Sequence, residues 1–192
     1  MGKRARARDY AERAYRTLAN QRGPELAMAR STIAQLEMLD YNYPPVAEHC
    51  EAAIAIAEET GRPDIIAHAK NNLGMSVTYS DPDRARALLD ESLRISLGIK
   101  RSDDVARAYT NRAYIEISLM DLPAALGSAQ AGLAHSRAHE QEGFQHYQGG
   151  TVAWILILQG RWSEADAYLE DAFDRLSEVT NRSQSFPEAC AM

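Results

Sequence analysis

The sequence predicts an all-α protein built from repeated helix pairs, and three observations carry that prediction. Gly and Pro punctuate the chain at even intervals, in "QRGP" (21–24), "NYPP" (42–45), "TGRPD" (60–64), "SDPD" (80–83), "DLP" (121–123) and "QGR" (159–161). Such clusters mark turns. The segments between them run about 16–20 residues, with apolar positions three and four apart, which is the spacing of one helix face; none alternates as a strand would. The third observation is an internal repeat with a period of 39–40 residues.

In chain order, a half repeat over 4–20 comes first. Four helix pairs follow over about 24–60, 63–98, 102–138 and 143–178, so about nine helices fill a single domain over 1–179, and a polar tail occupies 180–192. The second helices carry the clearest repeat. "DRARALLDESLRIS" (83–96), "LPAALGSAQAGLAHS" (122–136) and "WSEADAYLEDAFDRL" (162–176) each open on a small residue, namely Ala85, Ala125 and Ala165. A small–large pair follows seven residues later: Ser92–Leu93, Gly132–Leu133 and Ala172–Phe173. Ala53–Ile54 and Ala14–Tyr15 continue the series backwards. Small residues let two helix axes approach closely while the large neighbour fills the gap beside them. The first helices match too, with Gly74, Ala113 and Ala153 at corresponding points. A helix that buries one face is marginal alone, so successive pairs are expected to stack into a superhelix.

Composition narrows the function. Of 192 residues, 45% are hydrophobic and 25% charged, which suits a folded domain. The net charge is −6; residues 1–16 hold six basic and two acidic side chains, so the remainder sums to −10. So acidic a body repels phosphate, which argues against nucleic acid as a direct partner. Two cysteines, Cys50 and Cys190, make neither a disulfide framework nor a zinc motif. The longest apolar run, "VAWILIL" (152–158), is far short of the ~20 residues needed to cross a bilayer. No apolar stretch follows the basic start, so it does not read as a secretory signal. A cytoplasmic location without membrane contact is the expectation.

The helix–turn–helix period, "NNLG" (71–74) and "QGRWSEADAYLEDAF" (159–173) resemble tetratricopeptide (TPR) repeats of the long-helix variety. "LLDESLRIS", "GLAHSRAHEQEGFQHY" and "QGRWSEAD" are similar to the C-terminal helical region of large ATP-binding LuxR-type bacterial transcriptional regulators. HEAT-type pairing also fits the period. The TPR resemblance implies a right-handed superhelix of antiparallel helix pairs, and a sensor or interaction part of a signalling or transcription regulator. It does not imply ATPase activity, since no G-x-x-x-x-G-K-[ST] loop occurs. "RARARDYAERAYRTL" (4–18) aligns with "RARALLDESLRISLG" (84–98) as a second helix without its first, so the chain is expected to begin where a longer array was interrupted.

In TPR arrays the first helices line the concave face. The resemblance places Leu36, Met75, Tyr114 and Trp154 at one equivalent position, with His68, Arg107 and Tyr147 a turn or two earlier. These form a candidate groove for an extended peptide or a partner helix; the same side chains also fit packing between neighbouring helices. Asn72 and Asn111 are equivalent, with Asn71 beside the first. A carboxamide both donates and accepts, so it can clasp a peptide backbone or bond a neighbouring helix. His135, His139, Glu142 and His146 are of metal-ligating types, with His135 and His139 one helical turn apart, but polar helix ends often carry such residues, and no metal or cofactor is expected. No catalytic constellation stands out. The expectation is a non-enzymatic scaffold that binds a protein or peptide, and the apolar ends of an open array also allow self-association. The alternatives are a sensor for a small signalling ligand that changes superhelix shape and, more remotely, a metalloenzyme built on the His cluster.

Overall fold

The computed structural model describes the backbone of residues 3–178 and the side chains of 5–170. The tail 180–192 with Cys190, and the side chains of Ala172–Phe173, lie outside the described residues. Nine helices occupy the described residues. They are α1 (Lys3–Leu18), α2 (Pro24–Leu39), α3 (Pro44–Glu59), α4 (Pro63–Ser76), α5 (Pro82–Gly98), α6 (Ser102–Ser118), α7 (Leu122–Ala138), α8 (Glu142–Leu158) and α9 (Trp162–Glu178). No strand is present among the described residues. The fold is all-α, and each of the six turns marked by Gly and Pro falls between two successive helices; the α5–α6 and α7–α8 turns carry no such mark. The chain divides into two compact units, residues 1–104 and 105–192, with the division near the start of α6.

Prolines start the helices. α2, α3, α4, α5 and α7 all carry Pro at their first or second position, where the missing N–H is not needed and the fixed φ is already helical. Asp81 and Asp121 cap α5 and α7 by accepting from Arg84 N and Ala124 N, satisfying donors the helix cannot.

The helices end in a shared device. Residues Tyr41, Gly61, Lys100, Met120, Glu140 and Gly160 all have φ between 54° and 74°. At each, this left-handed residue donates to a carbonyl three back and the next residue to one five back, as in Met120 N→Ile117 O and Asp121 N→Glu116 O. This is the Schellman closure. The turns after first helices and after second helices are therefore alike, and the local period is 20 residues. The α4–α5 turn differs: Ser80 and Asp81 both donate to Val77 O without a left-handed residue.

In unit 1, Leu26, Ala27, Ile56, Ala57 and Ile65 form a core against which Tyr15, Leu18 and Ile66 pack. α2 packs on both α3 and α4, and α4 on α5. The close approach of the last pair depends on Gly74, whose added Cβ would lie 3.1 Å from the Ala85 carbonyl oxygen. In unit 2, the core joins Ala113, Ile117, Leu133, Val152, Ile155 and Leu156, among others, with Trp154, Tyr168 and Leu169 packed against it. Gly132 has the same role there, since a Cβ would meet Tyr109 and Gln148 at under 3 Å.

Candidate functional site

The candidate residues separate into a buried set in unit 1 and a half-exposed set in unit 2. On α4, Asn71, Asn72 and Met75 are all buried. Asn72 Nδ2 donates to the backbone carbonyl of Ser31 on α2 at 3.1 Å. The amide that sequence reading offered as a peptide clamp is spent on the neighbouring helix and has no exposed surface. His68 is half-buried: its Nδ1 lies 2.6 Å from Ser31 Oγ and its Nε2 3.2 Å from Gln35 Oε1. With Gln35 accepting, Nε2 carries the proton and Nδ1 accepts from the serine hydroxyl. Ser31 is fully buried, so this hydroxyl–imidazole pair ties α2 to α4 and presents no nucleophile to solvent.

In unit 2 the pattern is different. Arg107, Asn111 and Tyr114 follow one another at i, i+4 and i+7 along α6, which places them on one helix face, and all three are half-buried. Tyr147, Thr151 and Trp154 repeat that spacing along α8; Tyr147 is exposed and the other two half-buried. Thr151 donates its hydroxyl to the Tyr147 carbonyl of its own helix at 2.9 Å. Trp154 has its inner side on the unit 2 core. Each row thus combines polar groups with aromatic side chains that are half-buried or exposed.

A residue that sequence reading passed over holds the two rows together. Gln148, 1% exposed, donates from Nε2 to Ala106 O at 3.0 Å and to Thr110 Oγ1 at 3.1 Å. Its Oε1 accepts from Ser136 Oγ at 2.7 Å. One side chain from α8 therefore fixes α6 and α7 at once. Its positional equivalents in earlier repeats are Ala69 and Ala108, so no repeat pattern exposed it. The available signal was Gly132, which leaves the space that the Gln148 amide fills.

The histidines do not converge. His135 and His139 stack with centroids 4.1 Å apart. His139 Nδ1 faces His135 O at 2.9 Å, and His146 Nδ1 faces Glu142 O at 2.7 Å, so one nitrogen of each ring serves its own helix. Among the described residues, no three His, Cys, Asp or Glu side chains are grouped so as to hold a metal ion. Cys50 is fully buried and its thiol is pushed up to about 12 by that burial and by Glu51, so it stays protonated at neutral pH. None of the helices in the described residues is long and apolar enough to cross a membrane.

No protein-family profile and no curated protein matches the sequence. Among solved structures, the chain is similar to the crystal structure of BtubC (BKLC) from P. vanneervenii, with 23% identity and a TM-score of 0.70. The alignment covers 91% of this chain and 72% of that one. At that identity the likeness concerns the fold.

Proposed function

We propose that the chain is a non-enzymatic, TPR-like interaction module that holds a partner protein segment against the α6 and α8 rows. It would serve as the sensor or interaction part of a cytoplasmic bacterial signalling or transcription regulator of the LuxR type, with no direct nucleic-acid contact. The observation that carries this reading is the doubled row, Arg107–Asn111–Tyr114 beside Tyr147–Thr151–Trp154, on helices fixed by Gln148. Partly exposed aromatic side chains supply apolar contact at low entropic cost, and amide and guanidinium groups supply adaptable hydrogen bonds. Rigid backing limits what binding would have to order.

The test is a peptide array probed with the purified chain, followed by anisotropy on the peptides that bind. Trp154→Ala combined with Asn111→Ala is expected to weaken them at least about tenfold, the scale of one interface hot spot. Peptides that bind the double variant as well as the parent would remove this face from consideration.

A further inference from the structure

Arg8, Arg22 and Arg62 of unit 1 are each answered by a carboxylate: Glu37 at 2.5 Å, Glu59 at 2.6 Å and Asp64 at 2.7 Å. Arg30, on α2, is different. Its Nε and Nη1 are buried, and neither has a hydrogen-bond acceptor among the described residues. Its guanidinium carbon lies 5.1 Å from the centroid of the Tyr15 ring of α1, and His49 of α3 meets the same ring edge-on at 5.6 Å. His49 Nδ1 is also buried without a partner. The ring attracts the cation but gives its N–H groups no lone pair, and a buried donor without an acceptor destabilises the folded chain. A ligand that brings an acceptor to Arg30 meets a need that its neighbours leave open.

Arg30 is half-buried and lines a cleft of about 290 Å³. The cleft lies where the turn after α1 meets α2 and α3, all within unit 1. Asn20, Arg22 and Arg30 give it a polar side, and Leu26, Ala55 and Ile56 an apolar one.

Charge selects the ligand. Arg22 is held by Glu59 through two hydrogen bonds, at 2.8 and 2.6 Å, so the cleft offers the uncompensated charge of one guanidinium. That charge matches a single carboxylate, whose two oxygens accept in parallel from a guanidinium fork. A phosphate dianion would bring a second negative charge with no cation to balance it. The apolar side suits a short hydrocarbon chain. From these features we infer that the cleft binds a small monocarboxylate, its carboxylate on Arg30 and its short aliphatic tail against Leu26, Ala55 and Ile56. This site is separate from the α6 and α8 rows.

The test titrates the full chain, 15N-labelled at arginine, with butanoate, acetate and inorganic phosphate. The Nε–Hε NMR signal of Arg30, identified by its loss in Arg30→Lys, moves with butanoate while that of Arg62 stays in place. Butanoate is expected to bind with a Kd on the order of 1 mM. It should bind at least about fourfold tighter than acetate, because each added methylene contributes up to about fourfold. Ligand-observed NMR then reads the variants. Arg30→Lys keeps the charge but loses the fork, and should weaken butanoate at least about fivefold. Ala55→Leu fills the cleft and should leave butanoate no tighter than acetate. Ala55 is exposed, and circular dichroism with Tm verifies that both variants fold. N-acetylvaline, which carries its carboxylate as a chain terminus does, should bind more weakly than butanoate. The inference is overturned if the Arg30 signal ignores about 50 mM butanoate, or if phosphate moves it at lower concentration. An unchanged preference over acetate in Ala55→Leu overturns it as well. So does tighter binding of N-acetylvaline, because the carboxylate would then belong to a protein terminus.

Discussion

Asn72 in unit 1 and Gln148 in unit 2 do the same work, since each sends a buried carboxamide from one first helix to a backbone carbonyl of the first helix before it. They are not equally satisfied. Asn72 donates to Ser31 O, but its Oδ1 is buried without a partner. Gln148 donates twice and accepts once, reaching α6 and α7 together. A buried polar group stabilises only when its partners are present, and an unmet one offsets what its neighbour gains. The more valuable amide is therefore the one that matched no other repeat.

Removing the two amides gives the largest contrast. Gln148→Leu keeps the volume but leaves the fully buried Ser136 hydroxyl without its acceptor, and is expected to cost about 2–3 kcal/mol, two lost bonds plus a stranded donor. Asn72→Leu removes the bond to Ser31 O and a longer one of 3.4 Å to His68 Nδ1, but also the unpartnered oxygen, so its cost should stay near or below about 1 kcal/mol. Urea unfolding with amide exchange read separately in α4 and α8 measures both. Equal losses in the two variants would mean that the difference in satisfaction carries no energy.

The glycines sharpen the same contrast. A Cβ on Gly132 would lie 2.7 Å from Gln148 Nε2 and 2.8 Å from Tyr109 Cβ, so Gly132→Ala must displace the clamp and should cost about 1–3 kcal/mol by overpacking. A Cβ on Gly74 would lie 3.1 Å from the Ala85 carbonyl, a milder contact, and the ~1 kcal/mol helix preference of Ala over Gly offsets much of it. Thermal unfolding should place Gly74→Ala near the parent and Gly132→Ala clearly below it; the reverse order would contradict the packing described.

Much of this was legible in the sequence because it is written in residue types with few uses. Pro24, Pro44, Pro63, Pro82 and Pro123 start helices where expected, and the small residues Ala85, Ala125 and Ala165 are buried where second helices meet their neighbours. The turns were half legible. Gly61 and Gly160 announce a left-handed residue, whereas Tyr41, Lys100, Met120 and Glu140 take the same backbone with side chains that give no warning. The 20-residue period stayed hidden for that reason. The candidate face was legible as a set of positions but not as exposures: Asn72 and Asn111 are equivalent in sequence, yet only Asn111 keeps a partly open side chain. Burial depends on what the next helix brings, and Ser31 brings a carbonyl that the spacing of asparagines does not foretell.

Those non-glycine turns supply a gain rather than a loss. Met120 sits at φ 59° with 71% of its surface exposed, so little packing compensates the left-handed strain, which costs about 1 kcal/mol or slightly more. Met120→Gly should stabilise unit 2 by about 1 kcal/mol less the added chain entropy of glycine, a rise in Tm of roughly 2–3 °C. Gly160→Ala, at φ 74° with no neighbour within 4 Å of an added Cβ, should lose a similar amount through backbone strain alone. If Met120→Gly lowers Tm, the left-handed closure is not the strained feature of that turn.

The smallest effect belongs to the ion pairs that fasten α1 to α2 in unit 1, and pH isolates it. Arg8 reaches Glu37 and Asp40 at 2.5 Å each. Its hydrogen bond, aided by one from Asn42, holds the Glu37 carboxyl below its ordinary 4.5. A carboxyl depressed on folding stabilises the folded state above the unfolded value, and that contribution is lost as pH falls through the depressed one. Asp64, lowered by Arg62 in the same unit, acts in the same direction. His49 moves earlier: burial lowers its pKa from 6.5, so the unfolded chain takes up the extra proton first and stability declines as pH drops below 6.5. Two steps are therefore expected in unit 1, one beginning below 6.5 and one below 4.5. With Arg8 about one-third exposed, the Glu37 step should stay under about 1 kcal/mol. Arg8→Ala should return Glu37 toward its ordinary titration, followed by carboxyl NMR, and shrink the lower step while leaving the upper one in place. A Glu37 that titrates normally in the parent chain would show that Arg8 does not hold α1 in this way.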